Sequence, residues 1–220
     1  MVPSHFRKSI VVPMLAGTLA IAPSVFAGPP LLCHPFDING AQSLPWGNDT
    51  SWSAERADYD VSRLVLDTQK LLVPSTPVIV RMETLRRAAI YASRDEAVAR
   101  DLLTALTNRV HAANAAKGTD ALAYLDAAYI IEALRQVGML TYSPEFRGRA
   151  LAVQGIVKDL DGYAMIKKSL LIQPGDPALE FAAALIASDR HRAAYQEHAQ
   201  RARDGAKKDA LLARNLKQLT

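Results

Sequence analysis

Apolar residues recur at helical spacing from about Asp60 to the end of the chain. Positions three or four residues apart share one face of a helix, so the pattern predicts a series of amphipathic helices. Alanine, the residue with the highest helix propensity, is abundant in the same region. No segment shows the alternation of apolar and polar residues that is typical of a strand. The sequence therefore predicts an all-α domain over residues 59–220.

Prolines, glycines and small polar residues divide this region into separate helices. Serine and threonine favour the first position of a helix, and glycine favours the position after its end. The predicted N-terminal caps are Thr76, Ser93 and Ser143, and the predicted terminating glycines are Gly118 and Gly138. Pro74 should end the first helix, because proline disfavours the helical conformation of the residue before it.

Residues 120–137 form the most apolar of the predicted helices. A helix that is apolar on every side is usually central, so we expect it to lie in the core. It carries Asp126 and Glu132, whose spacing of six residues places them on different faces. They are therefore not a general acid and base sharing one cleft. Buried carboxylates need a counterion, and the expected partners are Arg81, Arg86 or Arg87.

Residues 28–58 differ from the helical region in composition. They contain four prolines and three glycines, which forbid a long helix. The apolar residues between them, Trp46 among these, argue against a disordered tail. We expect an extended N-terminal arm that packs on the helical body and buries Trp46.

Residues 1–27 have the organisation of a cleavable signal peptide. Arg7 and Lys8 precede an apolar stretch, and Val25-Phe26-Ala27 places small residues at the positions that signal peptidase reads. Cleavage is expected between Ala27 and Gly28 and would lower the formal net charge from +4 to +2. The apolar stretch is too short to span a bilayer. The sequence thus predicts an exported, periplasmic or secreted bacterial protein that leaves the membrane after cleavage.

Cys33 is the single cysteine of the chain, so no internal disulfide can form. Cys33-His34 lacks the second cysteine of a covalent haem site, because Pro30 stands in that position. Leu32 is too large for a lipoprotein signal ahead of the cysteine. A packed or capped thiol is the favoured interpretation, with an intermolecular disulfide, a catalytic thiol or a metal ligand as the alternatives.

No cofactor site or metal site is predicted. His191 and His198 are seven residues apart, roughly 10 Å along a helix, which is too far for one metal ion. We expect both, like His111, to be surface residues. The C-terminal stretch mixes basic and acidic residues and has few aromatic ones, which is typical of a solvated face and not of nucleic-acid binding.

One segment of the second half follows a known repeat pattern. Small, apolar and closing proline positions stand at the spacing of the second helix and turn of a tetratricopeptide repeat. The residues concerned are Gly162, Ile166, Ser169, Leu170, Ile172, Pro174 and Asp176. Gly162 and Ser169 take the small positions, where two helices approach closely, and Pro174-Gly175-Asp176-Pro177 should end one helix and cap the next. We interpret about residues 144–205 as tetratricopeptide-like. The whole domain is then either an α-solenoid of antiparallel helix pairs or an irregular helical bundle.

The chain also resembles a group of uncharacterised exported bacterial proteins. The resemblance rests on Leu32-Cys33-His34-Pro35-Phe36-Asp37-Ile38, on Ser43-Leu44-Pro45-Trp46 and on the segment 162–186. It implies export and helical repeats, and it implies no activity.

Two classes of function are compatible with these observations. The first is a non-catalytic helical module that binds another protein or a peptide. The second is a periplasmic enzyme whose residues are dispersed in sequence, with Cys33 as a candidate. An open groove lined by small and polar residues would favour the first. A closed pocket that gathers Cys33, a histidine and a carboxylate would favour the second.

Overall fold

The structure, a computed structural model, describes residues 28–48, 51–116 and 120–219 of the chain. Within these ranges every regular element is a helix, which confirms the predicted all-α fold. The helices are α1 (Leu64–Leu71), α2 (Val78–Ala92), α3 (Glu96–Ala115), α4 (Ala121–Met139), α5 (Arg147–Gln154), α6 (Gly162–Ile172), α7 (Pro177–Ala187), α8 (Arg192–Gly205) and α9 (Ala210–Asn215). Short 3₁₀ turns adjoin α1, α4, α8 and α9.

Three helices, α2, α4 and α7, are buried along nearly their whole length. Helix α4 packs against α2, α3, α5, α6 and α7, so the predicted central position of residues 120–137 is confirmed. Helix α2 also contacts α7, although α3 to α6 lie between them in sequence. A strictly linear stack of repeats would join only neighbouring units. The core therefore has contacts that a simple one-dimensional array lacks.

Asp126 on α4 is fully buried and binds two arginines. Its Oδ2 lies 2.6 Å from Nη1 of Arg81 and 2.7 Å from Nη1 of Arg109. The expected pairing with Arg81 is confirmed, whereas Arg86 pairs with Glu83 on its own helix. Burial raises the pKa of Asp126 to about 6 although both arginines oppose the shift. The carboxyl is thus ionised at neutral pH, as the ion pairs require.

Small residues on α6 allow this helix to approach α4 closely. A Cβ atom added to Gly162 would lie 2.7 Å from the carbonyl oxygen of Ala128, closer than real Cβ contacts come. Two turns further along the same face, the Ser169 hydroxyl donates a 2.8 Å hydrogen bond to the carbonyl oxygen of Ala121. The predicted role of Gly162 and Ser169 at a close helix contact is confirmed.

The turn between α6 and α7 also follows its prediction. Gly175 has a φ of +79°, a left-handed conformation that glycine adopts without strain. Asp176 then caps α7 by accepting hydrogen bonds from the backbone N–H groups of Ala178 and Leu179.

Other helix boundaries differ from their predictions. Thr76 does not cap α2, since its hydroxyl donates to the carbonyl oxygen of Leu71. Ser93 likewise donates to Ile90, one turn back, and α3 is capped by Asp95 instead. Each hydroxyl satisfies a carbonyl at the end of the preceding element, a use that competes with N-capping. Two further boundaries differ: Gly138 lies inside α4 and does not end it, and α5 begins three residues after Pro144. Gly118 is outside the described residues.

The arm contains no helix in residues 28–48 or 51–58, so its backbone polar groups need other partners. Side chains of α2 and α4 provide them. On α2, the Glu83 carboxylate accepts a hydrogen bond from the backbone N–H of Phe36. The Arg86 guanidinium donates to the carbonyl oxygens of Leu32 and Trp52, and Arg87 donates to the carbonyl oxygen of Leu44. On α4, the Tyr129 hydroxyl donates to the carbonyl oxygen of Leu31. The arm side chains of Leu31, Leu32, Phe36 and Leu44 are buried in the same core as the helices.

Trp46 is less enclosed than the sequence predicts. It is partly buried, with its ring edge-on to Tyr91 at a centroid distance of 5.6 Å and the Arg86 guanidinium 4.9 Å from its centroid. Part of the indole therefore stays exposed, and the large buried side chains of the arm are its leucines and Phe36.

Candidate functional site

A groove of about 1060 Å³ lies between the start of the arm, α8 and the C-terminal segment. Gly28, Pro30 and His34 line it from the arm, and Lys217 and Gln218 line it from the C-terminal segment. We call it the α8 groove. Its volume is at the upper end of the range of about 300–1000 Å³ typical of small-molecule pockets.

One face of α8 forms the longest wall of this groove. The lining residues of that helix are Arg192, Tyr195, Gln196, Ala199, Gln200 and Arg203. They follow one another at steps of three and one residues, which keeps them on a single helical stripe. Ala199 is fully buried at the floor, whereas Arg192, Gln196 and Arg203 are exposed along it. The wall thus has a small apolar floor and polar sides.

Three of the charged groups along the groove are cations. Among the described residues, Arg192, Arg203 and Lys217 face it together with a single carboxylate, Asp189. His34 adds no full charge at neutral pH, because burial lowers its pKa below the ordinary value of 6.5. The groove therefore has an excess of positive charge.

Cys33 is not among the residues that line the α8 groove. Its thiol is partly buried next to Gly28, where an added Cβ atom would lie 2.7 Å from Sγ. Burial raises the pKa of Cys33 to about 11, and the nearby Arg86 only partly offsets this. The thiolate is the reactive form of cysteine, so at neutral pH this side chain is a poor nucleophile.

His198 is buried, so the expectation that it is a surface residue is wrong. Its Nδ1 lies 2.5 Å from Oε2 of Glu180 on α7, and its Nε2 lies 3.2 Å from the hydroxyl of Tyr163 on α6. Both ring nitrogens are occupied, and His191 stacks on the Tyr163 ring at 4.3 Å. Burial raises the pKa of Tyr163, which keeps its hydroxyl protonated. This cluster joins three helices and leaves no vacant nitrogen for a ligand.

Glu132, the other carboxylate of α4, has a structural role as well. It accepts a 3.0 Å hydrogen bond from Gly162 N–H and pairs with Arg135. The structure does not bring Asp126 and Glu132 to a common partner. Within the described ranges no group of three or more potential ligands is arranged to hold a metal ion.

The predicted cleavage position lies at the edge of this groove. Gly28 is one of its lining residues, while Ala27 and the rest of the predicted signal peptide lie outside the described residues. No helix in the described part of the chain combines the length and apolar character needed to cross a bilayer.

The sequence interpretation missed the groove residues on α8. It treated the basic C-terminal stretch as a uniformly solvated face, whereas one face of α8 lines the α8 groove. The available signal was the recurrence of Arg192, Gln196 and Arg203 on one face, opposite His198 and Ala202. The arm that forms the facing wall comes from the other end of the chain, and helical spacing carries no information on such a pairing.

The chain was compared with protein-family models, with curated proteins and with solved structures, and none of them matches it.

Proposed function

We propose that this protein is an exported, non-catalytic helical module that binds a segment of another protein in the α8 groove. The observation that carries the proposal is the polar wall of α8, which faces an open groove and not another helix. Helical surfaces of this kind bind peptides through small floor residues and scattered polar contacts. The sequence of residues 1–27, with its signal-peptide pattern, supports action outside the cytoplasm.

The tetratricopeptide-like interpretation of residues 144–205 is part of this proposal. It is supported by the α6–α7 pair and by the Asp176 turn, whereas the close contact at Gly162 joins α6 to α4, outside these residues. Fold analogy alone does not determine function, so the groove and its chemistry carry the argument.

The alternative of a periplasmic enzyme that uses Cys33 is less well supported. The thiol of Cys33 has a raised pKa and does not line the groove. The histidine–carboxylate pair of His198 and Glu180 lines no part of the groove either. An activated cysteine needs an adjacent base or a lowered pKa. In the described part of the chain, the pKa of Cys33 is raised and not lowered, and the charged neighbour that affects it is Arg86, which is not a base.

Site-specific photo-crosslinking tests the proposed binding. A benzophenone amino acid at Gln196, on the groove wall, should give adducts with another protein in exporting cells. The same group at Glu197, an exposed neighbour on the next face of α8, is the matched control. Mass spectrometry of the adduct should map the contact to one partner segment. Equal labelling at both positions, or no adduct at Gln196, would contradict the proposal.

A further inference from the structure

Almost all arginines among the described residues are engaged within the molecule. In the described part of the chain, Arg190 and Arg192 alone among the arginines have no hydrogen bond or ion pair. Of these two, only Arg192 lines the α8 groove. The groove wall thus presents a guanidinium whose donors are all available to a ligand.

The other charges of the groove do not neutralise Arg192. Asp189, three residues before it, accepts a 3.1 Å hydrogen bond from Gln136 and forms no ion pair with Arg192. Among the described residues Lys217 also has no partner, and the one acceptor of Arg203 is the carbonyl oxygen of Leu219. Three cations and one carboxylate of the described residues therefore face the same space.

We infer that the segment bound in the α8 groove is acidic. This rests on the proposed function and specifies the chemistry of its partner. A guanidinium binds a carboxylate through two parallel hydrogen bonds, and a groove lined by one sign of charge concentrates the opposite sign. Glutamate or aspartate side chains spaced along a polypeptide can meet Arg192, Arg203 and Lys217 at once. The polar amides of Gln196 and Gln200 lie between the cations and suit the backbone of such a segment.

Fluorescence anisotropy of labelled octapeptides tests the inference on the chain that begins at Gly28. The three probes alternate glycine and serine with four glutamates, four glutamines or four lysines. We expect the glutamate peptide to bind about tenfold or more tightly than the glutamine peptide, and the lysine peptide not to bind. Raising the salt concentration should weaken the glutamate complex, since exposed charges are screened.

Charge reversal at single positions identifies the groove as the site. Arg192→Glu should weaken binding of the glutamate peptide by about tenfold or more. Arg190→Glu changes the net charge equally, two residues away and outside the groove, and should change the affinity by less than about twofold. The double variant Arg192→Glu, Lys217→Glu should bind the lysine peptide better than the glutamate peptide.

Each contrary result has a distinct meaning. If the glutamine peptide binds as tightly as the glutamate peptide, or if both reversals act equally, the inference of an acidic partner is overturned. Adducts at Gln196 would still support the binding function in that case. Equal or tighter binding of a single-stranded oligothymidylate would show a general polyanion site and would also overturn the inference. The absence of both peptide binding and adducts would remove the function and the inference together.

Discussion

The thiol of Cys33 shows how burial determines the chemistry of a single residue. Its pKa, raised to about 11, leaves far less thiolate at pH 8 than an ordinary cysteine would have. We expect alkylation by iodoacetamide at pH 8 to be roughly a hundredfold slower in the folded protein than in urea. The rate in the folded state should rise as the pH approaches 11. Intact-mass measurement over time follows the reaction, and equal rates in both states would contradict the buried environment.

Asp126 is a residue whose charge the core requires. Asp126→Asn would leave Arg81 fully buried beside a neutral amide, and breaking a buried pair in this way costs about 3–5 kcal/mol of unfolding free energy. Asp58→Asn is the control, because the Asp58–Arg56 pair is exposed to solvent and should contribute little to the free energy of unfolding. Urea titration of both variants measures the difference. Similar midpoints for the two would show that the Asp126 ion pairs add little.

At the scale of helices, the contact between α4 and α6 depends on the absence of a side chain. Gly162→Ala would place a methyl group 2.7 Å from a backbone oxygen of α4, so the helices must separate. We expect a loss of about 1–3 kcal/mol, as for other overpacked contacts. Gly148→Ala on α5 meets no atom within 4 Å and should be neutral or stabilising by about 0.5–1 kcal/mol. Thermal melting compares the two, and equal shifts would contradict the close packing.

The arm is an element without secondary structure that is held by side chains of α2. Both tryptophans of the chain, Trp46 and Trp52, belong to it, so intrinsic fluorescence reports whether it is docked. Arg86→Met removes the donors to two arm carbonyls and leaves them unsatisfied, at about 1–3 kcal/mol each. The tryptophan emission should shift to the red while the far-ultraviolet circular dichroism stays helical. Arg100→Met, on an exposed pair of α3, should leave the emission unchanged.

Over the whole molecule, the sequence predicts the helices well and their partners poorly. The all-round apolar character of residues 120–137 identifies the central helix, and Gly162, Ser169 and Asp176 are correctly assigned, because local spacing and capping chemistry determine them. Thr76 and Ser93 are misassigned because a hydroxyl between two helices can bond to either.

The candidate site lies beyond what spacing can reveal. Its walls come from residues 28–35, 185–203 and 217–218, which only the tertiary fold brings together. The buried state of His198 depends on Glu180 and Tyr163, which lie on two other helices. The spacing of apolar residues also does not predict which polar side chains bind the arm. Glu83 is one of them, and a charged residue on a helix normally predicts a solvated face.

The two ends of the described chain are joined by hydrogen bonds. Asn215 accepts from the backbone N–H of Asp37 and donates to its carbonyl oxygen, while Gln218 donates to the carbonyl oxygen of Pro35. The residues that leave the ribosome early therefore find part of their partners among residues made about 180 positions later. Pairings at such separation form slowly, because a long loop must close first. The arm consequently completes its docking only after the C-terminal segment has been made.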